Sequence, residues 1–267
     1  MATTEPSRTP QRHALTDPQT DKHPDLDRDW GARTRIFLTP VAAPSILGLF
    51  GFASSTFMVA AWLAGWFGQN QNHIQVLAAL APFCLTFGGL AQFMAGMWSY
   101  RARDAIATAM HGTWGAFWIA FGIFWILLGA NVLHLTPSGA HGHQLVPFSY
   151  WFYTLAVITA CGFLAALLKN AGLAAVMFTL AAGSACVAIG FDSGVSTWYR
   201  VGGYVLVASA AFAVYTAFAL MLLEAAGRVI LPLGHYPYTK REHWRPGAIL
   251  ARPQQYPAGM PGARIGQ

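Results

Sequence analysis

The sequence predicts an all-α integral membrane protein built on six transmembrane helices. Three observations predict it. The 267-residue chain is 55% apolar and only 10% charged, where soluble domains carry roughly 25% charged residues. The charges are also segregated: from Pro44 to Leu223 the acidic residues are Asp104 and Asp192, and the basic ones Arg101, Arg103, Lys169 and Arg200. Six long apolar runs fill that interval, and at about 1.5 Å of rise per residue each can cross a hydrocarbon core of about 30 Å.

Residues 1–43 are rich in Pro, Thr, Asp, Arg and His and hold too little apolar surface to fold, so they read as a disordered tail. The first run, Ile46–Phe67, opens just after Pro44 with Leu47-Gly48-Leu49-Phe50-Gly51-Phe52. Two glycines three apart thin one helical face so that a neighbouring helix can approach closely. Phe52 stands about two turns in, where its ring either packs or plugs. The second run, Val76–Trp98, contains Pro82, a kink candidate tolerable where neighbouring helices satisfy the freed carbonyl. The third, Ala105–Val132, has residues to spare, and Asp104 before it is placed as a helix N-terminal anion with a structural role.

The fourth run is Phe148–Leu168. Lys169-Asn170-Ala171-Gly172 barely turns the chain, which makes the fourth and fifth spans antiparallel neighbours. The fifth, Leu173–Phe191, is only just long enough, and the sixth is Val201–Leu223. Beyond it Glu224 and Arg228, four apart, read as a helix-end salt bridge. Trp62, Trp66, Trp98, Trp125, Trp151 and Trp198 lie near run ends, as an aromatic belt would place them. The domain reading is a membrane domain over 44–234 and a flexible, Pro-, Gly- and Arg-rich tail over 235–267.

An even number of spans puts both tails on one side. That side collects 15 of the 16 Lys and Arg residues and leaves Arg200 on the other. The positive-inside rule then makes both termini cytoplasmic, in a plasma or inner membrane. The +6 charge therefore points to an anionic lipid surface and not to nucleic acid. Cys84, Cys161 and Cys186 all fall in apolar runs, which argues against a disulfide framework. No short apolar run with a cleavage site opens the chain, so no secretory signal is expected.

Enzyme chemistry finds little support. Within the spans stand one histidine, His111, one glutamine, Gln92, and scattered hydroxyls. One histidine cannot hold a di-iron site, and no Ser/His/Asp set lies at matched depth; no metal and no cofactor are expected. Intramembrane carboxylates, the usual relay of an ion pump, are missing from mid-span. A path without fixed charge suits a small neutral molecule, or an acid crossing in protonated form. His111 lies one turn before Trp114 on the same helical face. It reads either as a helix-packing histidine or as a neutral pore-lining group that senses protons. Gln92 is either a buried hydrogen-bonder between helices or a polar group in the path. The loop histidines His134, His141 and His143 are a metal-binding candidate by composition but read first as a solvated, flexible loop.

Three stretches resemble the acetate uptake transporter family, which includes bacterial succinate–acetate permeases and yeast relatives. Ala43-Pro44-Ser45-Ile46-Leu47-Gly48-Leu49-Phe50-Gly51-Phe52 is similar to the family's N-P-A-P-L-G-L-x-G-F signature. Ala91-Gln92-Phe93-Met94-Ala95-Gly96 and Gly112-Thr113-Trp114-Gly115-Ala116-Phe117-Trp118 resemble its A-Q-x-x-A-G and Y-G-S-F-W elements. Glu224 to Gly234 is similar to its closing F-G-R-T-x-L-P-I-G. The resemblance implies six helices per protomer, each protomer with its own pore, assembled in a ring that is usually a hexamer. It implies passage of acetate and small monocarboxylates, often with a proton, through a constriction of Phe, Tyr and Leu.

By motif these fall on Phe52, Trp114 and, with a one-residue gap, Leu180. The chain departs from the pattern at Ala43 for Asn, Ile46 for the second Pro, Trp114 for Tyr, and in having His111. Counted from the run ends, Phe52, Trp114 and Leu180 lie at about 9, 13 and 10 Å depth and Gln92 at about 9 Å, close to one level. The leading expectation is a channel or proton-coupled permease for acetate and other small monocarboxylates. Two others stay open: a pH-gated channel for a neutral solute such as urea or ammonia, and a membrane scaffold that transports nothing.

Overall fold

The structure is a computed structural model that describes residues 41–134 and 146–234. Both tails, apart from 41–43, and His141 and His143 lie outside the described residues. Among those described, six helices are long and apolar enough to cross a membrane. They are α1 (Pro44–Leu63), α2 (His73–Ala102), α3 (Ala105–Gly129), α4 (Val146–Ala166), α5 (Ala171–Ser193) and α6 (Ser196–Ala226). α2 and α6 outrun their apolar stretches most, to 30 and 31 residues. The reason is that hydrogen bonding, not hydropathy, ends a helix: α6 begins at Ser196 and takes in Trp198, Tyr199 and Arg200 before the apolar run starts.

Consecutive packing runs α1–α6–α5–α4 on one side and α1–α2–α3 on the other, with α1 between. The tight Lys169–Gly172 turn makes α4 and α5 neighbours, as its length predicts. Small residues set how closely α1 is approached. A Cβ on Gly51 would stand 2.5 Å from the carbonyl oxygen of Phe87 in α2, and one on Gly203 in α6 would stand 2.4 Å from the Ala64 nitrogen. Neither contact admits any other side chain.

The middle of α2, Cys84–Ala91, is wound as a π-helix between α-helical His73–Phe83 and Gln92–Ala102. The expected disturbance at Pro82 thus takes the form of a wider winding directly after it. π segments change the facing of everything beyond them and recur at functional sites. Here the Gly88 N–H donates across to Ser55 Oγ of α1 at 2.8 Å, and Gln92 follows as the first residue of resumed α-helix.

At the end where the bundle starts and finishes, caps and ties replace hydrocarbon packing. Asp104 accepts from the Ala107 N–H at 3.1 Å, capping α3, and pairs with Lys169 Nζ at 2.6 Å. Asn170 caps α5 through the Leu173 N–H. The Ala171 and Gly172 N–H groups donate to the carbonyls of Gly234 and Leu233 at 2.7 and 2.9 Å, and Tyr215 donates its hydroxyl to the Pro232 carbonyl. The stretch after α6 is thereby strapped onto the first turn of α5, where the Ala171 and Gly172 N–H groups would otherwise lack partners.

Two expectations are corrected. Glu224 and Arg228 form no ion pair: Gly227, with φ 63°, ends α6 before Arg228 can take the fourth position of a helical face. Glu224 accepts instead from the Ala43 N–H at 2.8 Å, placing its carboxylate at the N-terminus of α1. Trp125 is no belt residue. It is 3% exposed and packs between Phe121 and Phe124, because its face of α3 turns into the bundle. Trp66, Trp98 and Trp198 are exposed near helix ends, where the belt reading places them.

Candidate functional site

α1, α3 and α5 run in the same direction, and their inward residues meet at one level. Phe52 is eight residues past Pro44, Trp114 nine past Ala105 and Leu180 nine past Ala171, or about 12, 14 and 14 Å from those helix starts. Gln92 is ten residues before Ala102, where α2 ends, about 15 Å from the same side. The observed helix limits draw the four closer in depth than the apolar runs do.

The structure brings all five sequence-selected residues around one small cavity. Phe52, Gln92, His111, Trp114 and Leu180 line it together with Leu49, Met110, Val176 and Met177. The five are between 2 and 4% exposed. Phe52 and Trp114 meet edge to face, ring centroids 6.3 Å apart at 72°. The enclosed volume is ≈ 10 Å³, at the lower limit for a single water. The arrangement is therefore closed. A carboxylic acid enters it only if side chains or helices move apart.

Its lining is apolar except at two points. Gln92 Oε1 and His111 Nδ1 are buried and make no hydrogen bond to any described residue. A buried polar atom left without a partner costs about 1–3 kcal/mol, and such atoms call for an explanation. The other atoms of this kind, on Thr56, Trp62, Trp118, Trp125, Ser184 and Thr216, lie on residues outside the cavity lining. Hence two of the nine residues lining the cavity carry such an atom, and the rest of the lining is apolar.

Gly48 explains how His111 is held. A Cβ there would stand 2.6 Å from three atoms of the imidazole ring, so the ring lies flat in the space that the missing side chain leaves. The two glycines of the opening stretch thus do different things: Gly48 seats His111, and Gly51 admits the backbone of α2. Among the described residues no group of three or more His, Cys, Asp or Glu is placed to hold a metal ion.

Sequence reasoning missed Thr159 of α4. The Trp114 indole N–H donates to Thr159 Oγ1 at 3.0 Å, and the Thr159 hydroxyl donates in turn to the Leu155 carbonyl at 2.6 Å. A signal was there: an indole N–H buried in a span needs an acceptor, and α4 offers few.

Three comparisons place these features among known proteins. The sequence profile of the GPR1/FUN34/yaaH family matches residues 33–237. An uncharacterized protein of Methanothermobacter thermautotrophicus is 26% identical over 191 residues, 72% of this chain and 90% of that protein. The succinate-acetate/proton symporter SatP of Escherichia coli K12 is 29% identical over 196 residues, 73% of this chain and 97% of the symporter. Among solved structures, that of the bacterial acetate channel SatP superposes with a TM-score of 0.64 at 23% identity, over 73% of this chain and all of that one. The six-helix fold is shared.

Proposed function

Because the chain belongs to the GPR1/FUN34/yaaH family, we propose that this multi-pass membrane protein passes acetate and other small monocarboxylates through the pinch at Phe52, Trp114 and Leu180. One observation carries the reading: a closed apolar ring broken only by two unpartnered polar atoms, Gln92 Oε1 and His111 Nδ1. The names of the Escherichia coli symporter and of the solved channel support the substrate class.

The physical logic is exclusion. Moving a bare carboxylate into an apolar passage is very expensive, whereas a neutral carboxylic acid loses two hydrogen-bonding groups' worth of water. Gln92 Oε1 is an acceptor placed to receive an acid O–H, and the His111 ring nitrogen offers the complementary polar contact. A molecule short enough to bring its carboxyl to these atoms keeps only a small apolar end against Phe52 and Leu180. The acid, or the anion together with a proton, is the species this passage favours; larger acids and inorganic ions are not.

Around this core stand the remaining parts of the proposal. Both tails face the cytoplasm of a plasma or inner membrane, since they and the loops on their side carry 15 of 16 basic residues. Protomers assemble as a homo-oligomeric ring, with one passage in each. The protein is a transporter and catalyses no covalent step.

Labelled acetate influx into vesicles holding the purified full-length chain, less the influx into protein-free vesicles, tests the reading. Flux is expected, with competition by propionate and none by urea. Block by urea without block by propionate moves the assignment to a neutral-solute channel with His111 as its proton sensor. No protein-dependent flux of either solute removes transport altogether.

A further inference from the structure

The α3–α4 seam is unlike the other helix contacts. The two backbones come close at few positions, and the gap is filled by side chains in a regular stripe. On α3 the stripe runs Met110, Trp114, Phe117 and Phe124, spaced by four, three and seven, the spacing of a helix–helix seam. Met110 lies on Gly162 of α4, Phe117 stacks with Trp151 and Phe152 at 4.9 and 5.4 Å, and Phe124 meets Phe148 at 4.9 Å. All of these contacts are apolar. Among the described residues the one hydrogen bond between the two helices is that from Trp114 Nε1 to Thr159 Oγ1.

That bond has a fixed direction. The Thr159 hydrogen is committed to the Leu155 carbonyl at 2.6 Å, so its oxygen can only accept, and an indole can only donate. Trp114 is thereby turned with its polar edge toward α4, while its ring lines the cavity and packs edge to face with Phe52. Swinging the indole outward would strand its N–H in an apolar interior. We propose that Thr159 is a positioning residue that sets the size limit of the passage by latching Trp114 across the α3–α4 seam. Thr159 does not line the cavity; it acts through the ring. This inference rests on the transport reading above and adds to it which residue fixes chain-length selectivity.

The test compares acetate, propionate and butyrate influx into vesicles carrying the full chain, reported as ratios so that the amount of active protein cancels. Thr159→Val keeps the volume and removes the acceptor. It is expected to raise the propionate-to-acetate ratio about 3- to 10-fold, at or below the lower bound of the roughly 10- to 200-fold that one methylene can be worth in a fitted pocket. Thr159→Ser keeps the oxygen and is expected to hold the wild-type ratio. On a Trp114→Phe background, which has no N–H to latch, Thr159→Val is expected to change nothing further.

An unaltered ratio in Thr159→Val, with acetate flux intact, overturns the latch and leaves the transport reading standing. So does an equal shift in Thr159→Ser, or a shift in Thr159→Val that persists on Trp114→Phe, since either marks a packing effect. If the wild-type chain passes none of the three acids, the transport reading and the latch fall together.

Discussion

Gly48 and His111 form a pair whose members make sense only together. The imidazole occupies the volume in which any β-carbon at position 48 would sit; the ring lines the cavity and its buried Nδ1 has no partner among the described residues. Gly48→Ala is expected to destabilise the protein by about 1–3 kcal/mol through overpacking and to depress acetate flux. Removing the ring as well, in Gly48→Ala/His111→Ala, should recover most of the stability, giving a coupling energy of about 1–3 kcal/mol in a double-mutant cycle of thermal unfolding in detergent. Additive effects would mean that the ring and the glycine are not in contact. Of packing and plugging, the first is visible for Phe52: it rests on Trp114 and lines the small cavity. Phe52→Ala is expected to lower stability, large aromatic truncations costing about 3–5 kcal/mol in cores. It should also weaken discrimination between acetate and butyrate, read as the ratio of their fluxes. At this scale the sequence named every polar candidate that lines the cavity, because glutamine and histidine are conspicuous in apolar spans. Thr159 stayed hidden because a threonine in a helix ordinarily bonds its own preceding turn, as this one also does, and its second role depends on what α3 brings opposite.

Helix existence was legible from hydropathy, and helix ends were not, for reasons visible in α6. Its last turn carries Glu224 and then a left-handed Gly227, so the four-residue spacing to Arg228 has no helix to act through. The carboxylate reaches the start of α1 instead, a contact between the two ends of the bundle that sequence spacing cannot reveal. Glu224→Ala is expected to cost about 0.5–2 kcal/mol, the usual range for losing an acceptor at a helix N-terminus, and Glu224→Gln less, since it keeps the acceptor and loses only the charge. Thermal unfolding of the two variants in detergent checks the order; equal losses would show that charge alone matters. The π winding of α2 is a second feature hidden from periodicity. Pro82 announced a disturbance, but the shift to a wider turn over Cys84–Ala91 depends on α1 receiving the Gly88 N–H, a long-range contact. Without that shift Gln92 would face another direction, and the cavity would lose one of its two polar atoms.

Among the described residues the six helices form a bundle with capped and ion-paired ends and a small apolar cavity between them. On the proposed passage through that cavity, transport depends on pH in a definite way. An alkyl carboxyl titrates near a glutamate side chain, at about 4.3. Roughly one acid in 500 is then protonated at pH 7 and one in 50 at pH 6. A passage that admits only the neutral acid, or the anion with a proton, should therefore speed up close to tenfold for that one-unit fall in external pH at fixed total acetate. The sign is fixed by the substrate: protonation favours flux at low pH and deprotonation removes it at high pH. Neutral short acids also cross bare lipid, with the same pH slope, so the informative quantity is the protein-dependent part. It should saturate with acetate concentration, while the lipid leak stays linear. Leu180→Ala, which enlarges the pinch without adding charge, is expected to raise the saturated rate while keeping the slope. A protein-dependent flux that is flat between pH 7 and 6 would mean that the bare anion crosses. An apolar ring closed to ≈ 10 Å³ could then not be the barrier that selects it.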